Sequence, residues 1–215
     1  MSTQRGIAVT LLLAVAAATF GVVARAGSGA APAPKAPARQ AHRKAVVRRA
    51  ATLGPRQLAL ARAVTWARAQ RGMHEVGTTN CSPAIDRWER HMGLPVPSAP
   101  PCRPWCGAFV HEAFFQGGIK LSSRLIDPNQ SYWDARAGLN GLRAVPKSSV
   151  RPGDIVFFEL DPGVQASHEA LVLAPPRDGR VLTAEGNVGH HAVVTRRGLR
   201  YVVLAARVTQ KPTGA

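Results

Sequence analysis

The sequence predicts an α+β fold in which helices come first and an antiparallel sheet follows. Residues 57–137 contain segments with helical periodicity and helix-start signals, whereas short apolar runs bounded by turn residues follow Gly141. A chain of 215 residues is long enough for one domain of ordinary size with flanking segments. We therefore expect one folded domain, with N-terminal helices packed on a C-terminal sheet of about five strands.

Helix-start and helix-stop residues predict four helices. Serine followed by proline supplies an N-cap and a first helical residue, and glycine marks a helix end. We expect the helices at residues 57–74, from Ser82-Pro83 to Gly93, from Cys106 to Gly117-Gly118, and at residues 130–137.

Five apolar runs in the second half are typical of strands. The first, Ile155-Val156-Phe157-Phe158, follows the turn residues Pro152-Gly153. The expected strands cover residues 155–158, 167–173, 181–187, 192–196 and 201–206.

The N-terminal quarter has a composition unlike that of a folded domain. Residues 1–26 combine a basic start, an apolar run and the cleavage signature Ala24-Arg25-Ala26, which indicates a signal peptide, with an uncleaved anchor as the alternative. Residues 27–56 alternate alanine with proline and then become basic, which is typical of a disordered linker. Residues 57–215 then form the predicted catalytic domain.

The charge is strongly positive and unevenly placed. The net charge is +16, and residues 1–56 hold nine of the 28 basic residues and none of the 12 acidic ones. Such a basic arm on a basic domain favours a polyanionic partner, which can be nucleic acid, an anionic lipid surface or an acidic cell-wall polymer. We find no nucleic-acid motif, and therefore consider nucleic acid the weakest of the three.

Cys106 is the candidate nucleophile. It lies at the predicted start of a helix, where the peptide dipole and free N–H groups favour a thiolate. A buried, inert cysteine is the plainer interpretation. Three cysteines in an exported chain leave one unpaired: a Cys81–Cys102 disulfide would leave Cys106 free, and spacing alone also permits a Cys102–Cys106 pair.

A partner for that thiol is available further along the chain. His168 begins one predicted strand, Glu185 ends the next, and Asn187 follows two residues later on the same face of a regular strand. Adjacent antiparallel strands can place His168 beside Glu185, with the Cys106 helix packed across them. This is a nucleophile, base and orienting group in the chain order Cys, His, Glu.

Four ordered motifs resemble CHAP domains, the cysteine, histidine-dependent amidohydrolases/peptidases. The motifs are Pro104-Trp105-Cys106-Gly107-Ala108-Phe109-Val110, Pro152-Gly153-Asp154-Ile155-Val156-Phe157-Phe158, His168 with Ala170-Leu171-Val172, and Glu185-Gly186-Asn187. The resemblance covers roughly residues 67–208. It implies a papain-like fold and cleavage of a peptidoglycan amide, either between muramic acid and the first stem alanine or within the stem and cross-bridge peptides.

The same resemblance assigns roles to individual residues. It implies Cys106 as nucleophile, His168 as base, Glu185 as third member and Asn187 as an assisting polar group, and Trp105 is expected to line the substrate cleft. The chain departs from the family at Gly107, where alanine is frequent, and after His168, where Glu169-Ala170 replaces valine-glycine. Because Glu169 introduces an acidic side chain next to His168, the charge around His168 is not predicted by the resemblance.

We expect neither a cofactor nor a metal ion, since neighbouring His190-His191 would face opposite sides of a strand and no D-x-D-x-D-G calcium loop is present. We expect the mature protein to be a secreted, wall-associated monomer. Its basic arm is expected to contact anionic wall polymers, and a membrane surface is the alternative. The rival class is a non-catalytic wall-binding module on a CHAP-like scaffold. Neither the bond cut nor the target cell follows from the sequence.

Overall fold

A computed structural model describes residues 53–213. The predicted signal peptide and most of the predicted linker lie outside these residues. The helices of this region are α1 (Pro55–Ala69), α2 (Pro83–His91), α3 (Cys106–Gln116) and α4 (Pro128–Ala137). The strands are β1 (Leu142–Val145), β2 (Asp154–Phe158), β3 (His168–Arg177), β4 (Arg180–Val188), β5 (His191–Gly198) and β6 (Val202–Val208).

Local capping explains where the helices begin. The Ser82 hydroxyl accepts a hydrogen bond from the Ile85 N–H at 3.2 Å, so it is the N-cap of α2 as predicted. The Asp127 carboxylate does the same for α4 by accepting from the Asn129 N–H at 2.8 Å. Proline is the first residue of α1, α2 and α4, where its missing N–H has no partner to lose.

The six strands form one sheet with the order β1-β6-β2-β3-β4-β5, and every neighbouring pair is antiparallel. The α+β prediction is therefore confirmed, with one strand more than expected. The additional strand is β1, a four-residue edge strand. Its Leu142 pairs with Val208 of β6, near the C-terminus.

The two faces of the sheet carry separate apolar clusters. The helix-side cluster joins α1, α2 and α3 to one face and includes Trp105, Phe109, Phe157, Leu171 and Ala184. A smaller cluster covers the outer face and includes Val156, Phe158, Ala170, Val172 and Val181. Along β3, alternate residues therefore face the helices and the outer cluster.

Helix α3 is buried on nearly every side, including the side that carries His111 and Glu112. Both side chains are buried, since α3 lies between other helices and the sheet. His111 Nε2 contacts the Leu121 carbonyl at 3.0 Å, and burial lowers the pKa of His111. Glu112 accepts from His91 Nδ1 at 2.8 Å. Trp133 of α4, by contrast, is exposed.

Within residues 53–213, no helix is both long enough and apolar enough to cross a bilayer.

Candidate active site

Cys106 is the first residue of α3 and is only 3% exposed. It is the free cysteine of the described residues, because Cys81 and Cys102 form a disulfide whose Cα atoms are 5.3 Å apart. The disulfide joins the loop before α2 to the loop before α3. The peptide N–H groups of Cys106, Gly107 and Glu169 lie against the sulfur.

The electrostatics of the thiol differ from the sequence-based expectation. Burial raises the pKa of Cys106 to about 12, and the nearby Glu169 carboxyl adds to this rise. The three N–H groups act in the opposite direction, as a helix start should, but the loss of water outweighs them. The resting thiol is therefore protonated at neutral pH, rather than the thiolate that the helix position predicted.

Gly107 permits the close approach of α3 to the short helical turn Ser123–Ile126. A Cβ added at Gly107 would overlap the main-chain carbonyl of Ile126, and backbone cannot move aside as a flexible side chain can. Glycine at position 107, where CHAP domains frequently have alanine, is therefore explained by the close packing of α3 against the Ile126 carbonyl.

We expect Gly107→Ala to lower the free energy of unfolding by about 1–3 kcal/mol, the usual cost of overpacking a filled site. Thermal or urea unfolding measures this. Gly198→Ala is the matched control, because a Cβ there would make only an ordinary contact with Tyr201 at 3.4 Å on a backbone with φ −67°. Equal stability of the two variants would contradict the packing argument.

Trp105 does not line the cleft as the sequence analysis expected. It is fully buried, its indole N–H donates to Glu75 Oε2 at 3.0 Å, and its ring rests against Gly186. Glu75 also contacts His190 Nδ1 in the β4–β5 turn. Trp105 thus holds the start of α3 against the sheet. Burial of the ring in the helix-side cluster is the reason for the difference.

His168 and Glu185 meet on the outer face of the sheet. His168 Nε2 donates to Glu185 Oε2 at 3.0 Å, and both side chains are buried. The pair forms because β3 and β4 are neighbours in the sheet, and His168 shares its face with Ala170 and Val172 of the outer cluster. Since Glu185 takes Nε2, the other ring nitrogen, Nδ1, is left for a second partner.

Glu185 is held as a carboxylate by three neighbours. Arg197 donates through Nε at 2.9 Å and Nη2 at 2.7 Å, and the Thr183 hydroxyl donates at 2.6 Å. Although burial alone would raise the pKa of Glu185, the hydrogen bonds from His168, Arg197 and Thr183 lower it to about 2. An ionised Glu185 fixes the proton of His168 on Nε2.

Arg197 was not singled out by the sequence analysis. It lies on β5, where the ladder pairs it with Val181 rather than Glu185, so its contact is diagonal across two strands. Only the strand register reveals this contact. The alternation of polar residues along predicted strand 181–187 was the available signal, but Arg197 lies one residue beyond predicted strand 192–196, and the pattern does not fix the register.

The thiol and the imidazole are not hydrogen-bonded to each other in residues 53–213. They flank the first residues of β3: the Cys106 sulfur lies against the Glu169 N–H, and His168 immediately precedes Glu169. Asn187 is not brought to His168 by a hydrogen bond either. Its φ of 61° and a register shift between Glu185 and Val188 break the strand alternation on which its predicted orientation depended.

A cavity of about 380 Å³ opens beside Cys106. Its walls come from loops and helix starts rather than from the sheet. They include the apolar Ile126, Pro128 and Val164, the acidic Asp127 and Asp161, and the basic Arg103. The cavity therefore offers an apolar surface with charges of both signs next to the sulfur.

Within the part of the chain that the structure describes, no three His, Cys, Asp or Glu side chains converge as they would around a metal ion.

No protein-family model matches the chain, and no curated protein matches it significantly, so the CHAP assignment rests on the motifs alone. Solved structures align over 70% of this chain. Among them are a protein similar to an NLP/P60-family lipoprotein from Staphylococcus aureus subsp. aureus Mu50 (TM-score 0.42, 15% identity, 41% of that chain) and Ly7917 (TM-score 0.38, 18% identity, 62% of that chain). Ly7917 with the hydrolysing product of MDP also aligns (0.39, 18%, 63%). The alignments thus cover less than two thirds of each of these structures.

Proposed function

We propose that this protein is a cysteine hydrolase that cleaves an amide bond of peptidoglycan, with Cys106 as nucleophile, His168 as base and Glu185 as the group that orients His168. The observation that carries the proposal is the buried His168–Glu185 pair at 3.0 Å, one residue along β3 from the N–H that contacts the Cys106 sulfur. The choice of peptidoglycan as substrate is supported by the motif resemblance to CHAP domains.

The reaction begins with a neutral thiol. Because the resting Cys106 is protonated, His168 removes the thiol proton as the sulfur attacks the carbonyl carbon, instead of holding a preformed ion pair. His168 Nδ1, the ring nitrogen that Glu185 leaves free, accepts this proton. The His168 ring lies on the outer face of the sheet and Cys106 on the helix side, so movement of the ring around the start of β3 on substrate binding is part of the proposal.

The remaining steps conserve every atom and proton. The new S–C bond gives a tetrahedral intermediate, whose oxyanion is stabilised by peptide N–H groups at the start of α3. His168 returns the proton to the leaving nitrogen as the C–N bond breaks, which leaves a thioester on Cys106. Water, deprotonated by His168, then attacks the thioester, releases the carboxylic acid product and restores the thiol.

The competing function is a wall-binding module without catalysis. The burial and raised pKa of Cys106 favour it, since a structural cysteine has the same properties. Such a module would bind peptidoglycan and leave its bonds intact.

Mass spectrometry of peptidoglycan digested by the full-length protein tests both functions. A new amino terminus on the first stem alanine, with a free muramic carboxyl, identifies an amidase, and a new terminus within the peptides identifies an endopeptidase. Cys106→Ala serves as the control. If the wild type creates no new termini, or if Cys106→Ala creates the same ones, the hydrolase proposal is wrong.

The basic arm supplies the proposed attachment to the wall. Residues 27–56 carry positive charge without any acidic residue, which suits electrostatic binding to anionic wall polymers outside the cytoplasm. Most of this arm lies outside the described residues, and membrane contact stays an untested prediction.

A further inference from the structure

Glu169 is a buried acid that the proposed mechanism does not use. It follows His168 on β3, and its side chain points to the opposite face, toward the helices. The residue is 1% exposed, and one carboxyl oxygen, Oε2, has no hydrogen-bond partner. Its place beside the Cys106 thiol makes it the strongest unexplained feature of the described residues.

The surroundings of Glu169 disfavour a negative charge. From α4 and its N-cap, Ser131 and Asp127 face the carboxyl, and from α3 Cys106 faces it. The residue opposite on β2 is Phe157, which is apolar. No cation forms an ion pair with Glu169 within residues 53–213, and His168 is engaged with Glu185 on the other face.

An unpaired carboxylate in such a place costs several kcal/mol, so the neutral acid is the favoured form. Burial, assisted by the charge of Asp127, raises the pKa of Glu169 to about 8, although the Ser131 hydroxyl acts in the opposite direction. The carboxyl therefore changes charge in a range where a secreted enzyme can work.

Glu169 acts on the sulfur in two opposing ways. Its peptide N–H lies against the Cys106 sulfur and favours a thiolate, whereas a charge on its side chain raises the thiol pKa. Two negative groups buried side by side cannot both ionise without a large cost. Loss of the side-chain proton thus makes thiolate formation harder.

We propose that Glu169 controls the ionisation of Cys106: as a neutral acid it permits the thiolate, and as a carboxylate it opposes the thiolate. The residue would then weaken the rise of the sulfur's reactivity with pH once its own side chain has lost its proton. The importance of this control rests on the proposed function, but the control itself is a property of the thiol and can be measured without hydrolysis.

The test is alkylation of Cys106 by iodoacetamide between pH 6 and pH 10, with the disulfide left oxidised. In this reaction the thiolate forms an S–C bond and iodide leaves, so the rate reports the thiolate fraction. Glu169→Gln keeps the size of the side chain and removes its charge. Glu159→Gln, at an exposed position, is the matched control.

We expect Glu169→Gln to react on the order of tenfold faster than the wild type above pH 8 and equally fast at pH 6, since a one-unit fall in the thiol pKa raises the thiolate fraction tenfold. Glu159→Gln should follow the wild type. Identical profiles for Glu169→Gln and wild type would overturn the proposal. So would slower alkylation of Glu169→Gln, because Glu169 would then be assisting thiolate formation.

A stability measurement keeps the proposal testable if Glu169→Gln fails to fold. A carboxyl whose pKa is raised in the folded state keeps its proton there while the unfolded chain has lost it, so the wild type should lose stability as the pH rises from about 4.5 to about 8. In Glu169→Met, which has a similar size and no charge, this fall should be absent. An equal dependence of the thermal midpoint on pH in the wild type and in Glu169→Met would overturn the proposal. If the wild type cleaves no peptidoglycan but the alkylation rates of Glu169→Gln and wild type differ as expected, only the proposed function is contradicted.

Discussion

Cys106→Ala is expected to abolish peptidoglycan cleavage, with a loss on the order of a millionfold, the size seen when a protease loses its nucleophile. The loss should be complete because no other thiol can substitute: Cys81 and Cys102 are joined in a disulfide. Release of soluble fragments from purified peptidoglycan, measured over time, gives the rate. His168 and its partner remain in the variant, so any residual rate reports catalysis without a covalent step.

The variant must stay folded for this result to be informative. Removing one buried sulfur should cost about 1 kcal/mol, since the substitution takes away a single heavy atom. The thermal midpoint of Cys106→Ala should therefore remain within a few degrees of the wild type. Wild-type activity in a folded Cys106→Ala protein would rule out the covalent mechanism.

Glu185→Gln is expected to lower the rate of cleavage by about three to four orders of magnitude, comparable to replacing the acid of a serine protease triad by its amide. A glutamine amide presents an N–H₂ group as well as an oxygen, so it no longer fixes the His168 proton on Nε2. It also leaves Arg197 without a counter-charge. The expected effect lies in kcat, because Glu185 is buried and does not line the cavity.

The same variant should change the acid stability of the protein. A carboxyl whose pKa is lowered in the folded state stabilises the fold above its unfolded pKa, and this contribution disappears as the pH falls toward about 2. The wild type should lose about 3 kcal/mol from this group between pH 5 and pH 2, and Glu185→Gln should lack that part of the slope. Urea unfolding at several pH values measures it.

Asp154→Asn is the matched control for Glu185→Gln. Asp154 is a buried carboxylate bound by Arg207 through two hydrogen bonds of 2.9 and 2.8 Å, at the junction of β2 and β6. Its replacement should reduce stability without a comparable loss of cleavage. If both variants lose activity to the same extent, Glu185 has only a structural role.

Local signals in the sequence predicted most of the fold. Ser82 and Pro83 correctly marked the start of α2, and the glycines after α3 marked its last turn. Such signals are local because capping depends on residues that are neighbours in sequence. Strand β1 was missed because it has four residues and is stabilised by pairing with β6, about sixty positions later in the chain. Pairing over such a distance leaves no local pattern.

Residue types and their order pointed to the candidate site, whereas burial and register could not be deduced. The helix-start argument for Cys106 was correct about the N–H groups and wrong about the net result, because desolvation comes from packing against other elements. Arg197 was missed for a related reason, as its contact with Glu185 depends on strand register. Trp105 was assigned to the cleft from its position beside Cys106, which does not determine the direction of its side chain.

Trp105 is fixed on one side by Glu75 and on the other by Gly186, so the sulfur one residue later has little freedom to shift. The cavity walls, in contrast, belong to connecting segments such as residues 159–167, which lie outside the strands. Under the proposed function, reactivity and selectivity are thereby encoded in separate parts of the chain. A lineage could exchange wall residues such as Val164 or Asp161 and acquire a new preferred peptide, while the bond-breaking machinery stayed as it is.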